Sequence, residues 1–387
     1  MMNDLTSLFE QMVGLVAQYR IPLLFLGCVV VGAAGAWLIA GMAFREHLLD
    51  TPNERSSHII PTPRGGGVGI LAAFIMAGLT LRIPTTFLFG AILISAVSLF
   101  GDYFRISVKF RLVVQCISTS ILLFPLLPRL TAHYALSNFG FSPFIFFLIL
   151  PLIFIFLIGT ANFYNFMDGI NGIAGLSGVI GFGLLGVYTL YRPPPDAFQN
   201  ALSLLSICVS LACLGYLPFN MPRARVFMGD VGSILLGFVF AGLVVTLSRN
   251  YLEMVCFAAL LFPFYADELT TIVVRIQDRE NLTLSHRRHL YQLLVNEFGI
   301  AHVKISAVYG VAQLAVGSGV LIAYPWGVPT VLIFLTMCFI GFTLLTVHVR
   351  KIANKQETSA STVRKTRTLL RHEDAFEKSL FLSDAPR

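Results

Sequence analysis

Three aspartates stand where apolar segments of the sequence meet polar ones. Asp102 ends one apolar segment, Asp168 follows another, and Asp230 begins a third. A carboxylate at such a position serves either as a helix N-cap or as a metal ligand, and Mg²⁺ takes one or two carboxylates together with phosphate oxygens and water. Three carboxylates beside glycine-rich segments favour a Mg²⁺ site, with Mn²⁺ as an alternative ion.

Glycines introduce three of the apolar segments. They are Gly65 to Gly67, Gly169 with Gly172, and Gly229 with Gly232. Glycine lets backbone N–H groups approach an anion closely, and a helix N-terminus attracts negative charge. The pattern therefore predicts phosphate-binding helix starts, and the alternative is that these glycines allow tight turns or close helix packing.

Basic residues suited to anions lie in two polar segments. The longest interior polar stretch, residues 271–302, carries His286-Arg287-Arg288-His289. Arginine binds phosphate oxygens bidentately and histidine can relay a proton, so this segment predicts a clamp on a diphosphate. The alternative is an ordinary basic membrane loop. His58, Thr62 and Arg64, just before the triple glycine, form a second and weaker candidate.

The elements that position these residues are predicted to be transmembrane helices. The chain has 387 residues, of which 56% are hydrophobic and only 12% charged, with a mean hydropathy of +0.79. A soluble protein has about 25% charged residues, so this composition excludes a disordered chain and argues against one soluble core. Apolar segments close to the ~20 residues of a membrane-spanning helix predict an all-α, polytopic membrane protein with about ten to eleven helices. They cover residues 21–43, 67–82, 85–100, 111–127, 144–160, 172–191, 201–219, 231–247, 252–270, 303–323 and 328–349.

The distribution of charge predicts the orientation. With the N-terminus periplasmic and the C-terminus cytoplasmic, thirteen Lys and Arg residues fall in cytoplasmic loops and five outside, and nine more lie in the tail. This asymmetry agrees with the positive-inside rule and places all the polar segments above on the cytoplasmic face. The predicted organisation is a periplasmic lead-in at 1–20, a transmembrane domain at 21–350 and a basic cytoplasmic tail at 351–387.

In motif order, residues 20–350 resemble the polyprenyl-phosphate N-acetylhexosamine-1-phosphate transferases, the superfamily that includes phospho-N-acetylmuramoyl-pentapeptide transferase. Residues 165–172 (NFMDGING) look like the family's asparagine–aspartate–glycine signature, and residues 227–233 (FMGDVGS) match its magnesium-binding segment. Residues 286–292 (HRRHLYQ) look like the histidine loop of the branch that initiates O-antigen and other surface polysaccharides.

The resemblance implies a reaction and a set of site residues. The expected Mg²⁺-dependent phosphotransferase moves a HexNAc-1-phosphate from a UDP-N-acetylhexosamine to undecaprenyl phosphate and releases UMP, in the bacterial inner membrane. The expected metal ligands are Asp230 and Asp168, and the expected catalytic residues are Asp102, Asp168, His286 and His289. The expected substrate-binding residues are His58, Thr62, Arg64, Gly66, Asn162, Asn165, Gly169, Asn171, Phe227, Arg287 and Arg288. The expected partners are the two substrates and the lipid bilayer. No nucleic acid partner is expected, and a homodimer is left open.

Two positions depart from the family pattern. The family usually has adjacent aspartates where this chain has Gly101-Asp102, and Asn171 replaces the second aspartate of the signature. Two other classes of protein remain alternatives: a secondary transporter for a phosphorylated or nucleotide-linked solute, and a metal-independent membrane glycosyltransferase that releases UDP. A transporter would hold its ionisable residues near the membrane midplane, in repeated halves. The donor sugar is not determined by these residues.

Overall fold

The computed structural model describes residues 2–42, 49–52, 58, 60–104, 106–128, 143–192, 196–281 and 287–383. For residues 2–18, 143–148 and 356–383 the structure describes the helical backbone alone.

Helices make up nearly all of the described fold. They are α1 (Met2–Ala40), α2 (Val68–Thr80), α3 (Thr85–Tyr103), α4 (Val108–Leu123), α5 (Pro143–Phe166), α6 (Ile173–Leu190), α7 (Ala197–Asn220), α8 (Asp230–Leu247), α9 (Tyr251–Ala258), α10 (Phe262–Gln277), α11 (Leu290–Asn296), α12 (His302–Ala323) and α13 (Gly327–Ser383). Short 3₁₀ turns follow α4, α9 and α12. Two short strands, β1 (Leu49–Asp50) and β2 (Thr62–Pro63), pair antiparallel with Asp50 opposite Thr62.

The prediction of an all-α polytopic membrane protein is confirmed. Among the described residues, nine helical stretches are long and apolar enough to cross a bilayer, and α2 is a shorter apolar helix. One of the nine, residues 302–355, bends at 324–327 into α12 and α13. These two helices run antiparallel, because Tyr309 meets Phe342 and Gly319 meets Phe334 across them. Each of the eleven predicted segments thus coincides with a helix or with a kinked helix pair.

The predicted boundaries at residues 20 and 350 fall inside helices. Helix α1 runs from Met2 to Ala40, and α13 runs from Gly327 to Ser383. The division into lead-in, transmembrane domain and tail therefore has no break in secondary structure at either boundary, and it stays a prediction.

Helix α8 is the centre of the bundle. It packs against α2, α3, α5, α6 and α7, and nearly all of its residues are buried. A helix that is apolar on every side is stable only where other helices surround it. Gly237 lets α5 come close, since a Cβ there would lie 2.6 Å from the Ala161 Cα.

Small residues also bring α1 close to α2 and α7. Gly35 faces Gly69 on α2, and Gly215 on α7 faces the backbone of α1 at Val29. In a membrane, close approach of backbones replaces the hydrophobic effect as a source of helix association.

The polar residues separate to the two ends of the bundle. At one end lie the starts of α2, α6, α8 and α12 and the ends of α3, α5 and α7, which contact one another through the interactions described below. At the other end Arg192 pairs with Glu253 at 2.6 Å, and Arg192 also donates to the Leu247 carbonyl. The glycine-bearing segments and the three aspartates, which were predicted to share one face, therefore lie at the same end of the bundle.

We expect Gly215→Ala to destabilise the bundle, because the new methyl group would lie 2.1 Å from the Val29 carbonyl oxygen. Overpacking of this kind costs about 1–3 kcal/mol. Thermal unfolding in detergent, followed by size-exclusion chromatography, should show a lower midpoint. Gly341→Ala is the matched control, since no atom lies within 4 Å of its added Cβ. Equal midpoints for the two variants would contradict the packing argument.

Candidate active site

Two glycine-bearing segments pair with each other at the polar end. The N–H groups of Gly65 and Gly66 donate to the Phe227 carbonyl at 3.1 and 2.9 Å, and that of Gly67 donates to the Met228 carbonyl at 2.9 Å. These amides are bonded to protein in this structure. The arrangement follows the close-packing alternative for this triple glycine rather than an open phosphate-binding loop.

The same pairing brings the starts of α2 and α8 together. A Cβ on Gly67 would lie 2.4 Å from the Gly232 Cα, so neither position has room for a side chain. Gly229 has φ of +75°, a conformation that favours glycine, and it lies against the carboxylate of Asp102.

Asp102 caps α8 from a different helix. Its Oδ1 accepts the Asp230 N–H at 3.2 Å and its Oδ2 accepts the Val231 N–H at 3.4 Å. A carboxylate there satisfies free amides and opposes the positive end of the helix dipole. The N-cap reading considered for Asp230 is thus replaced: Asp230 is the first residue of α8, and the cap comes from Asp102 on α3.

The Asp230 carboxylate is held by two side chains. Arg111, in the first turn of α4, donates from Nη1 to Oδ2 at 2.5 Å, and Asn165 at the end of α5 donates to Oδ1 at 2.9 Å. Asn165 also reaches the Ser233 hydroxyl. Sequence reasoning missed Arg111, because it counted this residue only as one of many basic loop charges.

A cavity of about 270 Å³ lies beside this carboxylate. It is lined by Asp50, His58, Arg64, Asn165, Asp168, Gly169, Ile170, Asn171, Asn220, Phe227, Gly229, Asp230, Gln292 and His302. Eight of the predicted site residues are in this set, and they come from three separate stretches of sequence, 58–64, 165–171 and 227–230. One part of the cavity is charged and another consists of neutral amides.

The charged part contains an ion pair held by the two strands. Arg64 bonds to the Asp50 carboxylate at 2.6 Å, just after β2 and at the end of β1. His58 packs edge-on against Phe227, with ring centroids 4.8 Å apart. Asp50 was missed in the sequence, since nothing in its local motif links it to Arg64.

Asp168 lies in the loop between α5 and α6 and lines the cavity. Burial is the main cause that raises the pKa of its carboxyl group well above the usual value, and the nearby charges of Asp230 and Asp102 raise this pKa further. The opposing effect of Arg64 is weaker. A negative charge on Asp168 is therefore costly in this site, and a cation in the cavity would lower that cost.

The carboxylate oxygens in the charged part of the cavity would supply only some of the ligands that a divalent cation needs. Within the described part of the chain, no three His, Cys, Asp or Glu side chains are close enough to hold a metal by themselves. Asp168 and Asp230 do line one cavity and offer hard oxygen donors. That set suits Mg²⁺ or Mn²⁺ if phosphate oxygens and water complete the coordination.

The neutral part of the cavity is built around Asn171. Its N–H donates to His302 Nδ1 at 3.2 Å, and its carbonyl accepts from the Ser306 hydroxyl at 2.8 Å. Because Nδ1 is an acceptor here, the His302 ring carries its hydrogen on Nε2. The next amide, Gly172 N–H, donates to the Asn220 side chain. His302 and Asn220 were missed because only the fold brings them beside residues 171 and 172. Gln292 closes the segment 286–292 noted in the sequence, but no role was predicted for it.

The described residues of the basic segment before α11, Arg287 to His289, are not part of the cavity lining. Arg288 pairs with Asp278 and with Glu280, and neither Arg287 nor His289 lines the cavity. His286 lies outside the described residues. The roles predicted for these four residues stay predictions, and Gln292, one turn into α11, is the residue of this segment that reaches the cavity.

His289 belongs instead to a buried network around Asp267. Its ring nitrogens lie 3.6 Å from Asp267 and 3.4 Å from Glu268. The Asp267 carboxylate accepts the Leu290 N–H at 2.8 Å and the Tyr309 hydroxyl at 2.6 Å, so it fixes the start of α11.

Tyr291 links the Asp267 network to the loop that contains Asp168. Its hydroxyl donates to the Phe166 carbonyl at 3.0 Å, and its ring packs on Gly169, where a Cβ would lie 2.2 Å from that hydroxyl. The network of Asp267, Glu268 and His289 therefore supports the cavity from outside its lining.

Three further predicted residues lie behind the cavity wall. Asn162 exchanges hydrogen bonds with Gln115, one turn before Asn165. The buried Thr62 donates to the Ile60 carbonyl, and Gly66 packs against Tyr216.

We expect Asp267→Asn to lower the free energy of unfolding by about 2–3 kcal/mol, because the amide replaces a buried charged acceptor with a group that cannot accept all these donors. The midpoint of thermal unfolding in detergent is the measurement. Asp278→Asn is the control: its carboxylate is 47% exposed and pairs with Arg288, a pair expected to contribute less than about 1 kcal/mol. A midpoint for Asp267→Asn as high as that of the control would refute the supporting role of Asp267.

The fold and site together define a multi-pass membrane protein with a carboxylate-bearing polar cavity at one end of its helical bundle. Residues 84–248 match the family described as glycosyl transferase family 4. This match covers the ends of α3 and α5 and the starts of α4, α6 and α8.

Similar proteins extend the match over most of the chain. A decaprenyl-phosphate N-acetylglucosaminephosphotransferase of Mycobacterium leprae is 26% identical over 337 residues, covering 78% of this chain and 83% of that protein. A probable undecaprenyl-phosphate N-acetylglucosaminyl 1-phosphate transferase of Bacillus subtilis is 23% identical, covering 68% of this chain and 74% of that protein. A phospho-N-acetylmuramoyl-pentapeptide-transferase of Mycobacterium bovis is 40% identical over 92 residues, about a quarter of each chain. The family model and these relatives together support the assignment of this chain to the superfamily of membrane transferases that includes glycosyl transferase family 4.

Proposed function

We propose that this protein transfers a HexNAc-1-phosphate from a UDP-N-acetylhexosamine to undecaprenyl phosphate and releases UMP. Two of the similar proteins named above, those of Mycobacterium leprae and Bacillus subtilis, are by name transferases of an N-acetylglucosamine phosphate group to a polyprenyl phosphate. The observation that carries the proposal is a single cavity whose charged part, with Asp168 and Asp230, joins a part lined by neutral amides. Such a cavity suits a nucleotide sugar, which has a charged diphosphate between two uncharged groups.

The main task of the site is to hold two anions together. Both reactants carry phosphate, so their mutual repulsion opposes reaction unless positive groups neutralise it. Arg64 and His58 line the cavity and can bind phosphate oxygens. Asp168 and Asp230 would hold a Mg²⁺ or Mn²⁺ ion, which when bound supplies charge neutralisation at the diphosphate.

Asp102 has a positioning role in this proposal. Both of its carboxylate oxygens accept N–H groups of α8, which favours orientation of the site over proton abstraction. Phe227 offers an aromatic face, and Asn171, Asn220, Gln292 and His302 offer neutral donors and acceptors to the base or the sugar.

The lipid chain needs an apolar surface open to the bilayer. A groove of about 330 Å³ lies between α9, α10 and α13, lined by Ala258, Ala259, Phe262, Tyr265, Leu335, Thr336 and Phe339. The 3₁₀ turn at Ala259–Leu261 kinks the chain there. We assign this groove to the polyprenyl chain.

The distribution of Lys and Arg and the similar proteins support a location for the reaction. The excess of Lys and Arg in the loops at the cavity end favours a cytoplasmic site, in the inner membrane of a bacterium. The product would be a lipid-linked sugar diphosphate that starts O-antigen or another surface polysaccharide. The relatives with N-acetylglucosamine in their names make UDP-N-acetylglucosamine the first donor to test.

We expect the purified protein to release UMP from UDP-N-acetylglucosamine when undecaprenyl phosphate and Mg²⁺ are present, and EDTA to abolish this release. Chromatography of the released nucleotide is the measurement. Release of UDP would favour a glycosyltransferase that transfers the sugar alone, and a transporter would release neither nucleotide. UDP-N-acetylgalactosamine and N-acetylated deoxysugar donors, tested in parallel, would identify the sugar.

Asp230→Asn should lower this turnover roughly a hundredfold, because it removes the charge that would hold the cation. Asp196→Asn is the matched control, since Asp196 caps α7 at the opposite end of the bundle. Full turnover by Asp230→Asn would contradict the metal assignment.

A further inference from the structure

The guanidinium group of Arg111 lies against Asp230, one of the two carboxylates to which the proposed cation is assigned. Its Nη1 lies 2.5 Å from Oδ2, and the two side chains are only 29% and 23% exposed. The other oxygen, Oδ1, accepts from Asn165 at 2.9 Å. Both carboxylate oxygens of a proposed metal ligand are thus bonded to protein donors, one of which carries a full positive charge.

Gly101 makes the position of Arg111 possible. A Cβ at residue 101 would lie 2.9 Å from the Arg111 Nη2 and 3.2 Å from its Cζ. The Nη2 atom also approaches the Gly101 carbonyl oxygen at 3.4 Å. Any side chain at residue 101 therefore needs the guanidinium to move, whereas glycine leaves it in contact with Asp230.

The contact has an electrostatic reason. Asp102, Asp168 and Asp230 lie close enough to influence one another, and like charges at one site repel. Arg111 supplies a permanent positive charge to this cluster, since a guanidinium does not lose its proton in proteins.

We propose that Arg111 is a resident counterion of Asp230 that a divalent cation must displace, and that Gly101 sets this competition by leaving room for the guanidinium. The inference rests on the proposed function, because the cation is the one assigned there to Asp230. Arginine is long and flexible and binds phosphate well, so the displaced side chain can turn to a substrate phosphate. The cation alone should then bind weakly, and its binding should be favoured once a diphosphate is present.

The test is a titration of Mn²⁺ into the full-length protein in an uncharged detergent, without nucleotide or lipid substrate, with free Mn²⁺ measured by electron paramagnetic resonance. Arg111→Gln removes the competing charge, so the Kd for Mn²⁺ should fall roughly fivefold or more. Gly101→Ala should lower the Kd in the same direction while it leaves every charge in place.

Each variant has a matched control. Arg223→Gln removes one charge from the same end of the bundle, at an exposed position, and should change the Kd less than twofold. Gly159→Ala adds a methyl group where no atom lies within 4 Å, and it too should leave the Kd unchanged. Gly101→Ala should fold normally, because the atoms it meets are the far end of a flexible side chain. Size-exclusion profiles check this.

The proposal is overturned if Arg111→Gln binds Mn²⁺ no more tightly than Arg223→Gln, if Gly101→Ala matches Gly159→Ala, or if no variant binds Mn²⁺. A weaker affinity in Arg111→Gln would mean that Arg111 holds Asp230 in place for the cation. This outcome is separate from the proposed reaction, since a wild-type protein that released no UMP could still show the competition for Asp230.

Discussion

The first turn of α8 is the constraint on which the site depends. A helix-end amide that is buried without a partner costs about 1–3 kcal/mol, so it needs an acceptor within the protein. Asp102 supplies acceptors to two of these amides, and the segment of Gly65 to Gly67 bonds to the carbonyls just before the helix. Because α8 is buried on every side, its first turn is held rigidly against α2 and α3, and Asp230 is fixed with it.

The main effect of the glycines at this end of the protein is therefore to let neighbouring helices and side chains pack closely. Gly67 and Gly232 let two helix starts meet, and Gly169 accommodates the ring of Tyr291. Of the amides near these glycines, those of residues 65–67, 171 and 172 all bond to protein groups. In the proposed reaction, recognition of phosphate would therefore fall on the side chains of Arg64 and His58 and on the proposed cation.

The two departures from the family pattern have structural partners. Gly101 provides the space in which the Arg111 guanidinium contacts Asp230. Asn171 is held through its backbone by His302 and Ser306, and its side-chain amide donates to the Pro222 carbonyl. It contributes a neutral group to a neutral part of the cavity, where an aspartate would add a further negative charge to a site already rich in them.

The sequence by itself determined the class of fold, because the bilayer requires apolar helices of a fixed length and these are visible as segments. It also identified Asp168, Asp230, Asn165 and the Phe227 segment, since polar residues at the ends of such segments are few. It did not reveal Arg111, Asp50, Asn220 or His302, each of which resembles an ordinary polar loop residue until its partner is known. Only the tertiary structure decided that Asp102 caps α8 and that His289 lies in a buried network with Asp267. These roles depend on contacts between residues up to about 130 positions apart in the chain. A hydrogen bond between two helices does not change the residue pattern of either helix, so the sequence does not reveal it.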